Sequence, residues 1–207
     1  MTAIPEALAA LIAQQARFDQ LRHHTNLRTN GRVADLAYAN AYDGPPPAVI
    51  DALRTVIDDP RALNLQYTPY GGATKVRRLV ARNLSKRHGL KYRFTDIVMT
   101  PGAMAGLNLA LRPLASGPRR EVIILTPCWL DYPAYVYNLG LTMRLVPLKA
   151  KSFDLDIEAI AAALSPNTAA IMLSQPANPT GLLYSRASLD ALAEVLRSQA
   201  EPPLLIA

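Results

Sequence analysis

Three short segments bring together groups that could hold a flat, phosphate-bearing ligand. Thr100-Pro101-Gly102-Ala103-Met104 reads as a strand-to-helix junction in which Gly102 lets a ligand approach the backbone. The N–H groups that open a helix have no partner within it and suit an anion. Thr126-Pro127-Cys128-Trp129 places a large aromatic plate just after an apolar run. Ser174-Gln175-Pro176-Ala177-Asn178-Pro179-Thr180-Gly181 offers the Asn178 amide in a proline-rich turn, and its proline disqualifies it as a glycosylation acceptor. Each segment alone is a common kind of turn. Together at one sheet edge they supply an anion cradle, a π surface and an amide, which fits a planar aromatic ligand carrying a phosphate.

The elements that must position these groups follow from periodicity. Apolar runs at Ile97–Thr100, Val122–Leu125, Met143–Val146, Ala169–Leu173 and Leu204–Ile206 predict five strands, with Val122–Leu125 composed as a strand covered on both faces. Helical patterns lie between them. Leu107 and Leu111 follow Gly102, Ile157–Leu164 has Asp154 or Asp156 as a cap, and Ser185 precedes Leu189, Leu192 and Leu196. Upstream, the spacing predicts a helix from Glu6 to about Arg22, a polar stretch from His23 to Arg32 with a turn at Asn30-Gly31, and a helix opened by Asp43-Gly44-Pro45-Pro46-Pro47. The last of these would bury Ile50, Leu53, Val56 and Ile57. Alternating strands and helices indicate an α/β class with a mostly parallel sheet and helices on both faces, in which ligands bind beyond the carboxyl ends of the strands.

Composition narrows the classes. The chain has 207 residues, 50% of them hydrophobic, and one cysteine, Cys128, so it folds around a core without internal disulfides or cysteine-based metal clusters. No apolar stretch approaches a membrane span and no leader-like segment opens the chain, which points to a cytoplasmic protein with no membrane partner. The net charge of +6 is concentrated, since no acidic residue stands between Arg61 and Phe94. Lys75, Arg78, Arg82 and Lys86 fall on one helical arc beside Val76, Leu79, Val80 and Leu84. This reads as a solvated basic face rather than a nucleic-acid surface, because no aromatic residues interleave with the charges on the helix.

Four motifs in order carry a family resemblance. They are Tyr67-Thr68-Pro69-Tyr70-Gly71-Gly72 followed by Val76-Arg77, Thr100-Pro101-Gly102-Ala103-Met104, Pro127-Cys128-Trp129-Leu130-Asp131-Tyr132, and Pro176-Ala177-Asn178-Pro179-Thr180-Gly181. From about Asp35 to Ala207 the chain resembles the N-terminal half of a class I/II aminotransferase, a fold-type-I enzyme dependent on pyridoxal 5′-phosphate. The resemblance implies a three-layer sandwich of the aspartate-aminotransferase type, truncated here. Residues 1–45 would be an N-terminal arm and part of the small domain, and residues 46–207 the N-terminal part of the large cofactor-binding domain. The rest of the large domain and the C-terminal domain would be absent.

By the same resemblance, backbone amides of Gly102, Ala103 and Met104 bind the cofactor phosphate. Met104 stands where the family commonly has a Ser or Thr, so a hydroxyl contact is lost there. Trp129 stacks on the pyridine ring, Asn178 bonds its phenolic oxygen, and Tyr67 reaches the phosphate of a neighbouring subunit, which implies a homodimer. The alternative for Tyr67 is a loop aromatic packed on Pro69. Around Ala39–Asp43 the family's Gly near the substrate carboxylate has no counterpart. The Schiff-base Lys and the Asp that keeps the pyridine nitrogen protonated would both lie beyond Ala207, so no catalytic residue is assigned within this chain. The implied reaction moves an amino group from an amino acid to a keto acid; a lyase or decarboxylase of the same fold, or a non-catalytic pyridoxal-phosphate-binding module, are the alternatives. The resemblance further implies that Val122–Leu125, Met143–Val146, Ala169–Leu173 and Leu204–Ile206 are contiguous in the sheet while Ile97–Thr100 is separated from them. Residues 1–207 alone are therefore expected to leave strand edges unpaired, to be unstable as a monomer and not to transaminate.

Overall fold

A computed structural model describes residues 6–28, 43–61 and 66–207. They divide into two compact units, one of residues 1–19 with 101–207 and one of residues 20–100.

The first unit is built on a parallel sheet. Strands β1 (Glu121–Thr126), β2 (Thr142–Pro147), β3 (Thr168–Met172) and β4 (Leu204–Ile206) lie in the order β2-β1-β3-β4. The register sets Ile123 beside Arg144 on one flank and beside Ile171 on the other, and Ile171 in turn beside Leu205. Strand side chains alternate between faces. Val122, Ile124, Ala170 and Met172 therefore meet Leu107 and Leu111 of α4 (Ala103–Leu111) and Tyr132, Tyr135 and Val136 of α5 (Tyr132–Asn138). On the opposite face Ile123, Leu125, Val146 and Ile171 meet Ile160 and Ala163 of α6 (Ile157–Ala163) and Leu192 of α7 (Arg186–Arg197). Helices on both faces of one sheet make the three-layer arrangement expected from the sequence.

Side-chain caps start both helices of the second face. The Asp156 carboxylate accepts from Ala159 N–H at 3.0 Å, and Ser185 Oγ accepts from Ser188 N–H at 3.1 Å. At the amino ends of the strands Glu121 is buried with its charge satisfied. It accepts from Arg144 Nε (2.9 Å), Ser165 Oγ (3.0 Å) and Thr168 Oγ1 (2.9 Å).

In the second unit, α2 (Pro47–Asp58) begins on a proline, which needs no N–H partner in the first turn. Helix α3 (Thr74–His88) ends on Gly89 in the left-handed conformation, and Lys75, Arg78, Arg82 and Lys86 are exposed as the charge pattern implied. A positive φ of 96° at Gly72, where a Cβ would come within 2.6 Å of Met99 Cγ, explains why the loop before α3 carries a glycine there. Arg77 donates from Nε to the carbonyls of Ile97 (2.7 Å) and Phe94 (3.1 Å) and so fastens α3 to the segment that follows it.

Three sequence expectations are corrected, and one helix lies where the sequence predicts none. Helix α1 (Glu6–Arg28) continues through His23–Arg28, where the sequence suggests the start of a polar stretch, because these six residues include no glycine or proline to end a helix. Asn30-Gly31 and Ala39–Tyr42 lie outside the described residues. Ile97–Thr100 is not a strand: among the described residues no strand lies beside it, and Met99 N–H bonds instead to Gly71 O at 3.0 Å. Helix α2 buries none of its residues, and Leu53, Val56 and Ile57 are exposed. Finally, α5 was not anticipated, since Tyr132-Pro133-Ala134-Tyr135 carries no strong helical apolar pattern and opens with a proline, which is favoured only in a first turn.

Candidate functional site

Two of the candidate groups of the first unit, Trp129 and Asn178, lie on the loops that follow the carboxyl ends of β1 and β3. These neighbouring parallel strands deliver the loops that carry Trp129 and Asn178 to one edge of the sheet. Helix α4 leads through the turn at Arg112–Ser116 into the start of β1, so its own N-terminus points back towards that same edge.

Gly102 occupies the N-cap of α4 with φ 86° and ψ 170°, and no side chain caps the helix. A Cβ built at Gly102 meets no heavy atom within 4 Å, so the glycine is required by its backbone conformation and the space beside it is open. Gly102, Ala103 and Met104 are all exposed. A helix start with exposed residues, no capping side chain and open space beside its glycine has the donors and the room that a phosphate needs.

Trp129 is half-buried on the sheet face that α4 covers, in the same apolar cluster as Leu107 and Leu111. Its ring stands edge-on to two tyrosines, at 5.6 Å and 82° to Tyr132 and at 6.0 Å and 75° to Tyr135. Sequence reasoning did not single out either tyrosine for this role. The available signal was an aromatic three and six residues beyond Trp129, visible only once α5 is recognised. Cys128 is half-buried beside them, and burial pushes its thiol pKa up, away from a reactive thiolate.

The loop after β3 is tied down at several points. Tyr184 N–H donates to Gln175 Oε1 (3.2 Å), Ala177 N–H to Leu182 O (2.9 Å), and Asn178 N–H to Ser174 Oγ (3.2 Å). Ala177 and Tyr184 are buried in the core. At the loop's exit Asp154 accepts from Ser188 Oγ (2.8 Å) and from Ser185 N–H (3.3 Å). Burial alone would raise the Asp154 pKa, but the bonds from Ser188, Leu155 and Ser185 outweigh it and hold the carboxyl below its ordinary value. Asn178 itself is exposed, and among the described residues its side-chain amide makes no hydrogen bond, which leaves donor and acceptor available to a ligand.

Tyr67 belongs to the other unit and is fully exposed in its loop, which does not fit the alternative of a ring packed on Pro69. Among the described residues no group of three or more His, Cys, Asp or Glu could hold a metal ion, and no helix is long and apolar enough to cross a membrane.

A parallel sheet between two helical layers, with these groups at the carboxyl ends of its strands, defines an α/β protein of the aspartate-aminotransferase-like fold. An aminotransferase from Eubacterium rectale matches 99% of this chain with a TM-score of 0.81, at 23% identity and over 51% of its own length. The aspartate aminotransferase of Rhizobium meliloti matches 90% of the chain with a TM-score of 0.77, at 29% identity and over 46% of its length. The chain belongs to the aminotransferase class I and II family, whose sequence pattern it matches over residues 33–205. An aspartate/prephenate aminotransferase of Cereibacter sphaeroides is 34% identical over 152 residues, which are 73% of this chain and 37% of that protein. The chain thus spans about a third of the length of the curated relatives it matches and about half of the solved structures.

Proposed function

We propose that this chain is the cofactor-binding part of a pyridoxal-phosphate-dependent aminotransferase that moves an amino group from an amino acid to a keto acid. The observation that carries the reading is the exposed start of α4 at Gly102, with no side-chain cap, on the sheet face that also holds Trp129. The amides of Gly102, Ala103 and Met104 hold the phosphate by charge and hydrogen bonding, and the absence of a hydroxyl at Met104 leaves that task to the backbone. The Trp129 indole covers one face of the pyridine ring and keeps water from it. Asn178 Nδ2 donates to the ring's phenolic oxygen from a loop that Gln175 and Asp154 hold in shape. Bound pyridoxal phosphate supplies an electron sink, which the amino-acid side chains lack. Tyr67, fully exposed, reaches the phosphate of a second subunit in a homodimer. Residues 46–207 then form the first part of the large domain, residues 1–45 an arm and part of the small domain, and the protein works in the cytoplasm.

In the full-length gene product, a Gly102→Val variant forces a β-branched residue to a positive φ and fills the space beside the amides. Its affinity for pyridoxal phosphate, read by the bound cofactor's absorbance, should fall at least about tenfold, the scale of one charge-assisted hydrogen bond. Equal affinity in the variant and the parent protein overturns the assignment.

A further inference from the structure

The two tyrosines behind Trp129 have no role in the reading above. Tyr132 and Tyr135 stand one helical turn apart on α5, both buried, and both meet the Trp129 ring edge-on. Tyr132 N–H also bonds to Trp129 O at 3.2 Å, so the backbone of Trp129 is fixed to the start of the helix that carries the two rings. A half-buried indole held only by its backbone could rotate about its side-chain torsions. Two rings at 82° and 75° to its plane favour a single orientation, because an aromatic edge is attracted to an aromatic face and both contacts are lost on rotation.

The hydroxyl of Tyr135 sharpens the point. It is buried and has no hydrogen-bond partner among the described residues. Burial first, and then the nearby Asp131 and Tyr132, raise its pKa, so it remains a neutral donor. A phenylalanine would give the same ring without burying an unpartnered hydroxyl. Tyr135 therefore allows ring and hydroxyl to be tested apart.

We propose that Tyr132 and Tyr135 are positioning residues that set the plane of the Trp129 indole and thereby the tilt at which a cofactor ring stacks on it. The inference rests on the proposed function, since it takes Trp129 as the stacking residue. In it, the rings act and the Tyr135 hydroxyl does not.

The test uses the full-length gene product with pyridoxal phosphate as the probe, read by binding affinity and by the circular dichroism of the bound cofactor, which depends on its orientation. Tyr135→Met keeps a long apolar side chain but removes the ring edge. It should weaken binding by about tenfold, the scale of one aromatic pair, and reduce the cofactor's ellipticity. Tyr135→Phe should keep both at the parent level while raising the melting temperature. Unchanged affinity and ellipticity in Tyr135→Met, or a loss in Tyr135→Phe equal to that in Tyr135→Met, overturns the proposal. If Tyr135→Met does not fold, Tyr132→Leu, read in the same way, decides the question. Trp129→Leu separates the two levels. If it leaves affinity and ellipticity unchanged, the stacking assignment fails and this proposal with it; if it alters them while Tyr135→Met does not, the positioning role alone fails.

Discussion

Helices α2 and α7 are both twelve residues long and strongly amphipathic, yet they end in opposite situations. Helix α7 lays Leu192 into the sheet, with Leu189 and Leu196 packed beside it. Helix α2 presents Leu53, Val56 and Ile57 to solvent among the described residues. An apolar stripe shows which face a helix would bury, while the partner surface comes from elsewhere in the protein. In the unit of residues 101–207 that partner is a parallel sheet whose strands are themselves readable as apolar runs. In the unit of residues 20–100 no described strand exists to take that part.

The largest expected effect follows directly. Ile171 is fully buried in β3 between β1 and β4. Ile171→Ala should cost about 2–5 kcal/mol, a large share of a domain stability of about 5–15 kcal/mol. Leu53→Ala on α2 should cost less than about 0.5 kcal/mol, as exposed substitutions do. Urea unfolding of the full-length gene product measures both. Comparable losses would break the contrast and show that the α2 face is covered in the complete protein.

A second effect, smaller, lies at the amino ends of the strands. Burial pushes the Glu121 pKa up, but hydrogen bonds from Thr168, Arg144 and Ser165 together hold it below the ordinary glutamate value. A carboxyl lowered in the folded state stabilises fully above its unfolded pKa, and that contribution is lost as pH falls through the folded pKa. Glu121→Ala leaves three donors without their acceptor and should cost about 1–3 kcal/mol near neutrality. The gap between variant and parent should narrow as the solution is acidified below the ordinary glutamate range. Unfolding curves across that range check the sign, and a gap that widens on acidification refutes it. Among the described residues of the other unit, Asp59 pairs with the exposed Arg61 and Asp96 with the exposed Arg93, each through a single arginine.

How much was legible in the sequence follows the same division. Val122–Leu125, Met143–Val146, Ala169–Leu173 and Leu204–Ile206 were readable as strands because each is a short apolar run that the structure covers or pairs. Ile97–Thr100 has the same composition and is not a strand, since a strand needs a neighbour and composition does not supply one. Gly102 at a helix start was readable because few residues besides glycine tolerate its φ. The tyrosines behind Trp129 and the ties at Gln175 and Asp154 were not. The tyrosine contacts exist only once Tyr132–Asn138 is helical, and the Asp154 ties only once the start of α7 meets the loop after β2; no apolar period in the sequence marks either.

Asn178 gives the smallest expected change in stability and the sharpest separation of site from scaffold. Its backbone N–H is bonded to Ser174 Oγ, and its side chain bonds to nothing among the described residues. Truncation to Ala keeps the backbone tie and leaves no buried group unpaired, so Asn178→Ala should change stability by less than about 0.5 kcal/mol. A residue whose amide served only the turn would instead cost about 1 kcal/mol, the scale of one lost hydrogen bond. The proposed role predicts a change elsewhere. A donor to the cofactor's phenolic oxygen stabilises the form in which that oxygen is negatively charged, so its removal makes the neighbouring proton harder to lose. In the full-length gene product the pH midpoint of the bound cofactor's absorbance should therefore move upward in Asn178→Ala while the urea midpoint stays in place. A stability loss without the spectral shift would return Asn178 to the scaffold; the shift without the loss assigns it to the site.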